Sequence, residues 1–402
     1  MRIGIEAQRI FRSKKHGMDI VALNTIKALQ ALDKVNEYFI FTNNQEDTSC
    51  LSETSNFKII RTPGYLYPIW EQILLPRMVS KYKIDVLHCT SNTAPININV
   101  PLVITLHDII YLENNPLQLK GTLYQKWGNF YRSHIVPLVI KNACKIITVS
   151  NFEKKRISDF LEINESSLDA VYNGVSDHFF KKANIVQINS IRIKYKLPSE
   201  YIFLLGNTDP KKNISRTLKA YELYRLKSSN PLPLVIADYS IESLMKEVHE
   251  NGLKNDTVNF IYLVGYVQNT DLPVMYQLCS LFLYTSIRES FGIPILEAMA
   301  SGVPVITSKI SALPEIAGHA AMLIDPYSEQ DMADKVELVL SNEIFSDQLI
   351  IRGLQRVQQF RWEKTGETIL NIYNSLTNQL NKYVMPTLPL KLKHRIGWNL
   401  LG

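Results

Sequence analysis

Short β-branched runs alternate with longer segments of helical period along this chain, and near its middle the alternation starts again. That pattern requires parallel strands joined by crossover helices, because a parallel pair cannot be closed by a tight turn. In the first half the runs predict strands near residues 2–7, 38–42, 58–61, 86–88, 102–106 and 145–149. Helical period covers 20–32, 70–81, 122–142 and 151–160, and Leu23, Ile26, Leu29 and Leu32 keep the spacing of one buried face. A buried run at 201–205, ending in Gly206, opens the second series. A helix from about Ile214 and strands near 233–237, 258–263, 281–284, 305–307 and 321–324 follow. Two α/β units of the doubly wound, Rossmann-like kind are therefore expected, their carboxyl edges facing a central cleft.

A chain of 402 residues exceeds one ordinary core, which agrees with two units. The Asn173-Gly174 turn signal and the polar stretch 181–199 put the boundary near residue 185, giving domains at 1–185 and 186–361. With 46% hydrophobic and 20% charged residues the chain reads as globular and well supplied with core. The start reads as a strand rather than a secretory signal, and no apolar run approaches the roughly 18 residues of a membrane span. Cys50, Cys89, Cys144 and Cys279 lie far apart, which argues against a disulfide or metal framework and for a cytoplasmic location. The net charge of +6 is unevenly placed. No acid lies between Glu113 and Glu153, where Lys120, Lys126, Arg132, Lys141 and Lys145 occur; none follows Glu367, and 383–402 is a basic tail. Such faces suit phosphates or anionic lipid, or are simply solvated, and no nucleic-acid partner is expected.

The most informative segment runs Arg288-Glu289-Ser290-Phe291-Gly292-Ile293-Pro294-Ile295-Leu296-Glu297-Ala298-Met299-Ala300-Ser301-Gly302-Val303-Pro304. Pro294 suits the first turn of a helix and Gly302 the turn past its end. Glu289 then lies in the loop after a strand, and Glu297 one turn into the helix. A helix start offers free N–H groups to a phosphate, and Gly292 lets that phosphate come close. Two carboxylates flanking such a site can grip hydroxyls on either side of a diphosphate.

The Glu-x7-Glu pair in this string resembles the signature of the retaining glycosyltransferases of family GT4, which have the two-domain GT-B fold. The resemblance implies that Glu297 holds the donor ribose and Glu289 the transferred sugar, with Phe291, Gly292 and Ile293 beside the donor. Gly206-Asn207-Thr208-Asp209-Pro210-Lys211-Lys212-Asn213 resembles the family's first donor-domain loop, so Lys212, with Lys211 second, meets the diphosphate; Asn207 replaces a frequent arginine. Gly17 matches the family's glycine loop, though the surrounding Gly-Met-Asp-Ile departs from the usual Gly-Ile-Gly-Arg. His107 matches the cleft histidine of a His-Asp pair, with Asp108 as its orienter or an acceptor contact. Val267 belongs to the loop beside the nucleotide base. Trp70-Glu71-Gln72 and Leu313-Pro314-Glu315 are scaffold features of the bacterial polysaccharide branch. The first domain is then the acceptor side, the second binds the nucleotide sugar, and a helix over 362–382 crosses back.

No Asp-x-Asp clamp is present, so the lysine and the helix start take the place of a metal, and no cofactor is expected. The implied activity is transfer of a hexose, mannose from GDP-mannose in the first instance, to a glycan or lipid-linked glycan. A sugar-nucleotide hydrolase or epimerase and a non-catalytic assembly subunit of the same fold are the alternatives. The predicted helix at 122–142 carries Tyr124, Trp127 and Tyr131 among basic residues, a pattern that fits docking on the inner face of a membrane or burial in the core.

Overall fold

The computed structural model describes residues 1–43, 46–62, 64, 66–113 and 123–380. Lys120, the side chain of Tyr124 and the predicted basic tail lie outside the described residues. The first sheet contains β1 (Arg2–Glu6), β2 (Glu37–Thr42), β3 (Phe57–Arg61), β4 (Val86–Cys89), β5 (Leu102–Thr105), β6 (Lys145–Thr148) and β7 (Leu168–Ala170). All are parallel, in the order β3-β2-β1-β4-β5-β6-β7. The second contains β8 (Ile202–Leu205), β9 (Leu234–Ala237), β10 (Ile261–Gly265), β11 (Leu281–Tyr284), β12 (Val305–Ser308) and β13 (Met322–Ile324), ordered β10-β9-β8-β11-β12-β13. In both sheets the order reverses beside the first strand, so each has a ligand crevice at the carboxyl ends of its central pair.

Both faces of each sheet are covered, which is why the strands are continuous apolar runs. Along β8, Ile202 and Leu204 enter one core with Ile236 and Leu283, while Tyr201 and Phe203 enter the opposite one with Val235 and Phe282. The chain changes partners early: Val175 and Phe179 already pack in the second domain's core beside Tyr276. The last helix, Trp362–Leu380, returns to the first domain, where Ile369, Ile372, Tyr373 and Leu376 pack with Ile26 and Leu29 of the helix Gly17–Leu32.

Three departures from the sequence reading have local causes. Asn255–Val258 forms a helical turn rather than the start of a strand, with Thr257 buried and donating to Glu222 at 2.9 Å, so β10 begins at Ile261. β7 was not expected; three residues leave no periodicity to read. The helix expected from 70 begins at Tyr67 and passes through a π-helical turn, Trp70–Leu74. The wider turn lets consecutive Trp70 and Glu71 both face inward, Trp70 Nε1 donating to Thr62 at 2.8 Å.

Candidate active site

The loops that leave the carboxyl ends of the two sheets meet. Ser150, after β6, donates to the carbonyl of Ser290, after β11, at 2.7 Å. Ser290 Oγ donates to Asp108, after β5, at 3.3 Å. Glu315 of the second domain accepts from the backbone N–H groups of Asn151 and Phe152 at 2.7 and 2.8 Å. Arg288 ion-pairs with the wholly buried Glu153 and lies 3.5 Å from Glu113.

Glu289 lies in this junction. Its side chain and that of Lys212, 77 residues away in sequence, form an ion pair at 2.7 Å with only 14% and 15% of their surfaces exposed. Lys212 Nζ also donates to the Tyr284 hydroxyl at 2.8 Å, and Ser311 clasps the Glu289 backbone from both sides. Burial alone raises the Glu289 pKa, but the charges of Lys212 and Lys211 and hydrogen bonds from Lys212 and Ser286 outweigh it and hold the carboxyl below its ordinary value. Lys212 ends a tight turn, Pro210–Lys212, launched by Asp209. Gly206 sets the level of that loop: a Cβ would lie 2.8 Å from Ile236, so only glycine lets the strand end lie this close to β9.

Glu297 lies on the helix Ile293–Ala300, whose first turn follows Gly292 at φ 109°. A side chain at Gly292 would be strained and would strike Leu313 at 2.7 Å. Glu297 borders a cavity of about 190 Å³ whose lining includes Ile293 and Pro294 on its own side and Gly17, Ile20 and Asn24 across the cleft. Glu297 is partly exposed at this cavity, yet desolvation of its carboxyl dominates and pushes it up to about 7 against a hydrogen bond from Tyr276 at 3.3 Å. If Glu297 is the ribose ligand that the family resemblance implies, its ionised form is the one that accepts strongly from two hydroxyls. Donor affinity should therefore fall as pH drops through about 7 and recover above it. Glu297→Gln should cost about 1–3 kcal/mol of donor binding at pH 8 and flatten that pH dependence, as calorimetry at pH 6 and 8 can show.

The other expected residues fall into two groups. Gly17 is exposed at the first turn of its helix with open space where a Cβ would go, so the fold itself does not demand glycine there, and its place on the cavity is what singles it out. His107 is buried, its Nε2 donating to the Thr90 carbonyl at 3.0 Å; burial lowers its pKa and favours the neutral ring. Asp108 stands within reach of Ser290, next to Glu289. Asn207 is exposed and its side chain accepts from the Asp209 backbone, and Lys211 lies near Glu289 and Asp209. Val267 and Phe291 are buried in the second core, Phe291 with its ring against Tyr172 and Phe360, so the part they can offer a ligand is backbone. Tyr284, Tyr276, Ser311 and Arg288 were not anticipated. Their partners lie up to 135 residues away, and no local spacing marks them.

Two parallel-sheet domains meeting at their carboxyl edges, with a last helix returning to the first, are the architecture of GT-B glycosyltransferases. The family model "Glycosyltransferase Family 4" matches residues 16–179, and "Glycosyl transferases group 1" matches 187–356. The chain belongs to this family of GT4-like glycosyltransferases. It is 28% identical over 240 residues to O-antigen chain mannosyltransferase B of Escherichia coli, covering 59% of this chain and 62% of that protein. It is 28% identical over 278 residues to O-antigen chain mannosyltransferase RfbU of Salmonella typhimurium, covering 68% and 69%. Against the serotype-specific mannosyltransferase WbdA of Escherichia coli the match spans 34% of the relative's length. Among solved structures, Alr3699/HepE of Anabaena in complex with UDP superposes with a TM-score of 0.69 at 18% identity, over 93% of this chain and 100% of that one. WaaG, a glycosyltransferase involved in lipopolysaccharide biosynthesis, superposes with 0.66 at 14% identity, over 92% and 99%.

Proposed function

We propose that the protein moves a hexose, mannose from GDP-mannose in the first instance, to a glycan or lipid-linked glycan of a cell-surface polysaccharide, with retention at the anomeric carbon. The observation that carries this reading is the Lys212–Glu289 pair at 2.7 Å, held against Tyr284, whose hydroxyl feels the charges of both Glu289 and Glu297. The mannosyltransferase relatives support the choice of sugar. Before a donor arrives, Lys212 is held by Glu289 and Tyr284. A diphosphate draws the ammonium toward itself, which frees the ionised Glu289 for a sugar hydroxyl. As the glycosidic bond breaks, charge builds on the phosphate and is met by Lys212 and by the N–H groups at the start of the helix Ile293–Ala300. The leaving phosphate then takes the acceptor's proton on the same face of the sugar.

The test screens GDP-, UDP- and ADP-sugars by thermal shift, then follows products with and without an oligomannoside acceptor. A donor at 100 times its dissociation constant should add about 2.7 kcal/mol of stability. Transfer with retained configuration, undiminished by EDTA, is the expected result. Release of free sugar at one rate with and without acceptor favours the hydrolase, and loss of activity on chelation, restored by magnesium or manganese, overturns metal-independent chemistry.

Peripheral membrane docking of the first domain is part of this reading. No helix among the described residues is long and apolar enough to cross a membrane. Trp127, 70% exposed, and Phe130 project from the helix Leu123–Ile140; Ile69 and Ile73 are exposed on the segment that packs against this helix through Tyr67 and Tyr131, and Lys126, Arg77 and Lys81 are nearby in sequence. Tyr131, which its spacing puts with Trp127, takes the core alternative, and Arg132 beside it is also engaged within the domain: Tyr131 donates to Glu71 at 2.5 Å and Arg132 lies over the Tyr111 ring. Sedimentation should show binding to anionic but not neutral liposomes, weakened by salt and by Trp127→Ala/Lys126→Glu. Equal failure to bind either liposome refutes docking.

A further inference from the structure

At the carboxyl edge of the first sheet, five segments converge where the strand order reverses between β1 and β4. They are the turn Gln8–Phe11, the π turn Trp70–Leu74, the loop 90–93 after β4, the short helix Ile110–Glu113 after β5, and the helix Leu123–Ile140. Open sheets of this kind take their ligands at such a point.

The floor is acidic but weakly charged. Glu6 and Glu71 are wholly buried. Glu71 accepts from the Tyr67, Thr93 and Tyr131 hydroxyls at 2.6, 2.5 and 2.5 Å and from Gln72 at 2.9 Å. Burial, with the charge of Glu71, pushes Glu6 up to about 7, and burial raises Glu71 as well. Arg9 and Arg132 are both half-buried, and the charge of Arg9 acts on Glu6 and on Arg132. Arg132 stacks 5.3 Å over Tyr111 and donates to the Asn129 side chain. Among the described residues, neither guanidinium has a carboxylate within ion-pair distance. Asp108, whose charge acts on Arg132, is engaged by Ser290 and by the Ile110 N–H. Arg9 is also the strongest charge acting on Arg132: after burial, its like charge does most to pull Arg132 below its usual value. Two arginines without ion-pair partners, near carboxyls biased toward neutrality, leave a concentrated positive site.

We propose that Arg9 and Arg132 form an anion subsite on the acceptor side of the cleft, and that it takes a phosphate group carried by the acceptor. Guanidinium forks match tetrahedral phosphate oxygens two at a time, and the stacked Tyr111 fixes the plane of one fork. The inference rests on the reading that Lys212 serves the donor diphosphate from the opposite domain, which leaves a second anion site for a second substrate. An acceptor anchored here would lie one loop away from Asp108 and Ser290, at the junction that holds Glu289.

The test uses hexyl phosphate as probe, titrated by calorimetry into the full chain with GDP and UDP both present at saturation, and hexanol as the uncharged control. Hexyl phosphate should bind and hexanol should not. Arg9→Gln and Arg132→Gln, which remove the charge but keep a polar side chain on an aliphatic stem, should each raise its Kd at least tenfold while leaving nucleotide affinity and the unfolding midpoint within error. Arg132→Lys should recover part of the loss, and Lys212→Ala should leave hexyl phosphate binding unchanged. If nucleotide binds but hexyl phosphate does not, or binds equally well to both glutamine variants, the subsite is refuted; if neither nucleotide binds, the donor-site reading fails instead. A parallel arm measures sedimentation with phosphatidylglycerol and phosphatidylcholine vesicles. Phosphatidylglycerol binding that depends on Arg9 and Arg132, without hexyl phosphate binding, assigns the pair to bilayer headgroups and overturns the acceptor role.

Discussion

Lys212→Ala should lower turnover by roughly 10²–10³, the range found when one preorganised donor to a developing negative charge is removed. In the role proposed for Lys212, ground-state donor binding should fall much less, because the phosphate charge it would meet grows as the glycosidic bond breaks. The variant also leaves Glu289 buried without its 2.7 Å partner, so its carboxyl should rise toward neutrality. The remaining activity should then gain with pH more steeply than in the parent chain, as more Glu289 becomes ionised. Steady-state rates with a fixed acceptor, alongside calorimetric donor binding, separate the two effects. A higher apparent donor constant with unaltered turnover would assign Lys212 to binding alone.

The second large effect is structural and lies between the domains. Arg288→Ala removes the cation paired with Glu153, whose side chain is wholly buried. Breaking a buried pair from one side costs about 3–5 kcal/mol, because the remaining charge has lost its compensation. Burial already pushes Glu153 up to about 7 despite Arg288, so without the arginine its folded pKa moves higher still. An acid whose folded pKa is raised takes up a proton in the native state, and the stability so gained is lost as pH rises through that pKa. The variant should therefore be penalised less at pH 6 than at pH 8, and Arg288→Ala/Glu153→Gln should regain part of the loss. Denaturant unfolding at the two pH values measures this. Equal penalties at both would show that Glu153 does not carry the cost.

Much of the candidate site in the second domain was legible because its parts are close in sequence. The string from Arg288 to Pro304 is a strand-end loop, a helix start and a turn, and each step is fixed by a residue with one conformational use: Gly292 at φ 109°, Pro294 in the first turn, Gly302 past the end. Lys212 was legible for the same reason, as the end of a turn that follows a buried strand. The first domain was harder to read. The aromatic and basic spacing at 124–132 describes an amphipathic helix without saying which neighbour covers it, and the π turn at Trp70–Leu74 supplied the buried Glu71 that draws Tyr131 inward. Trp127, one turn earlier, stayed outside.

What the sequence determined alone was the repeated doubly wound architecture, since strand and helix periods are local and two-sided burial turns each parallel strand into an apolar run. It also determined which loops carry carboxylates and lysines. The tertiary structure decided which of those charges are answered. Arg288 finds Glu153 across 135 residues, and Lys212 finds Glu289 across 77. Arg9 and Arg132, far apart in the sequence of the first domain but near enough for one charge to act on the other, find no carboxylate within ion-pair distance among the described residues. A charge acts over a few ångströms of space, and the order of strands in two sheets sets which loops come that close.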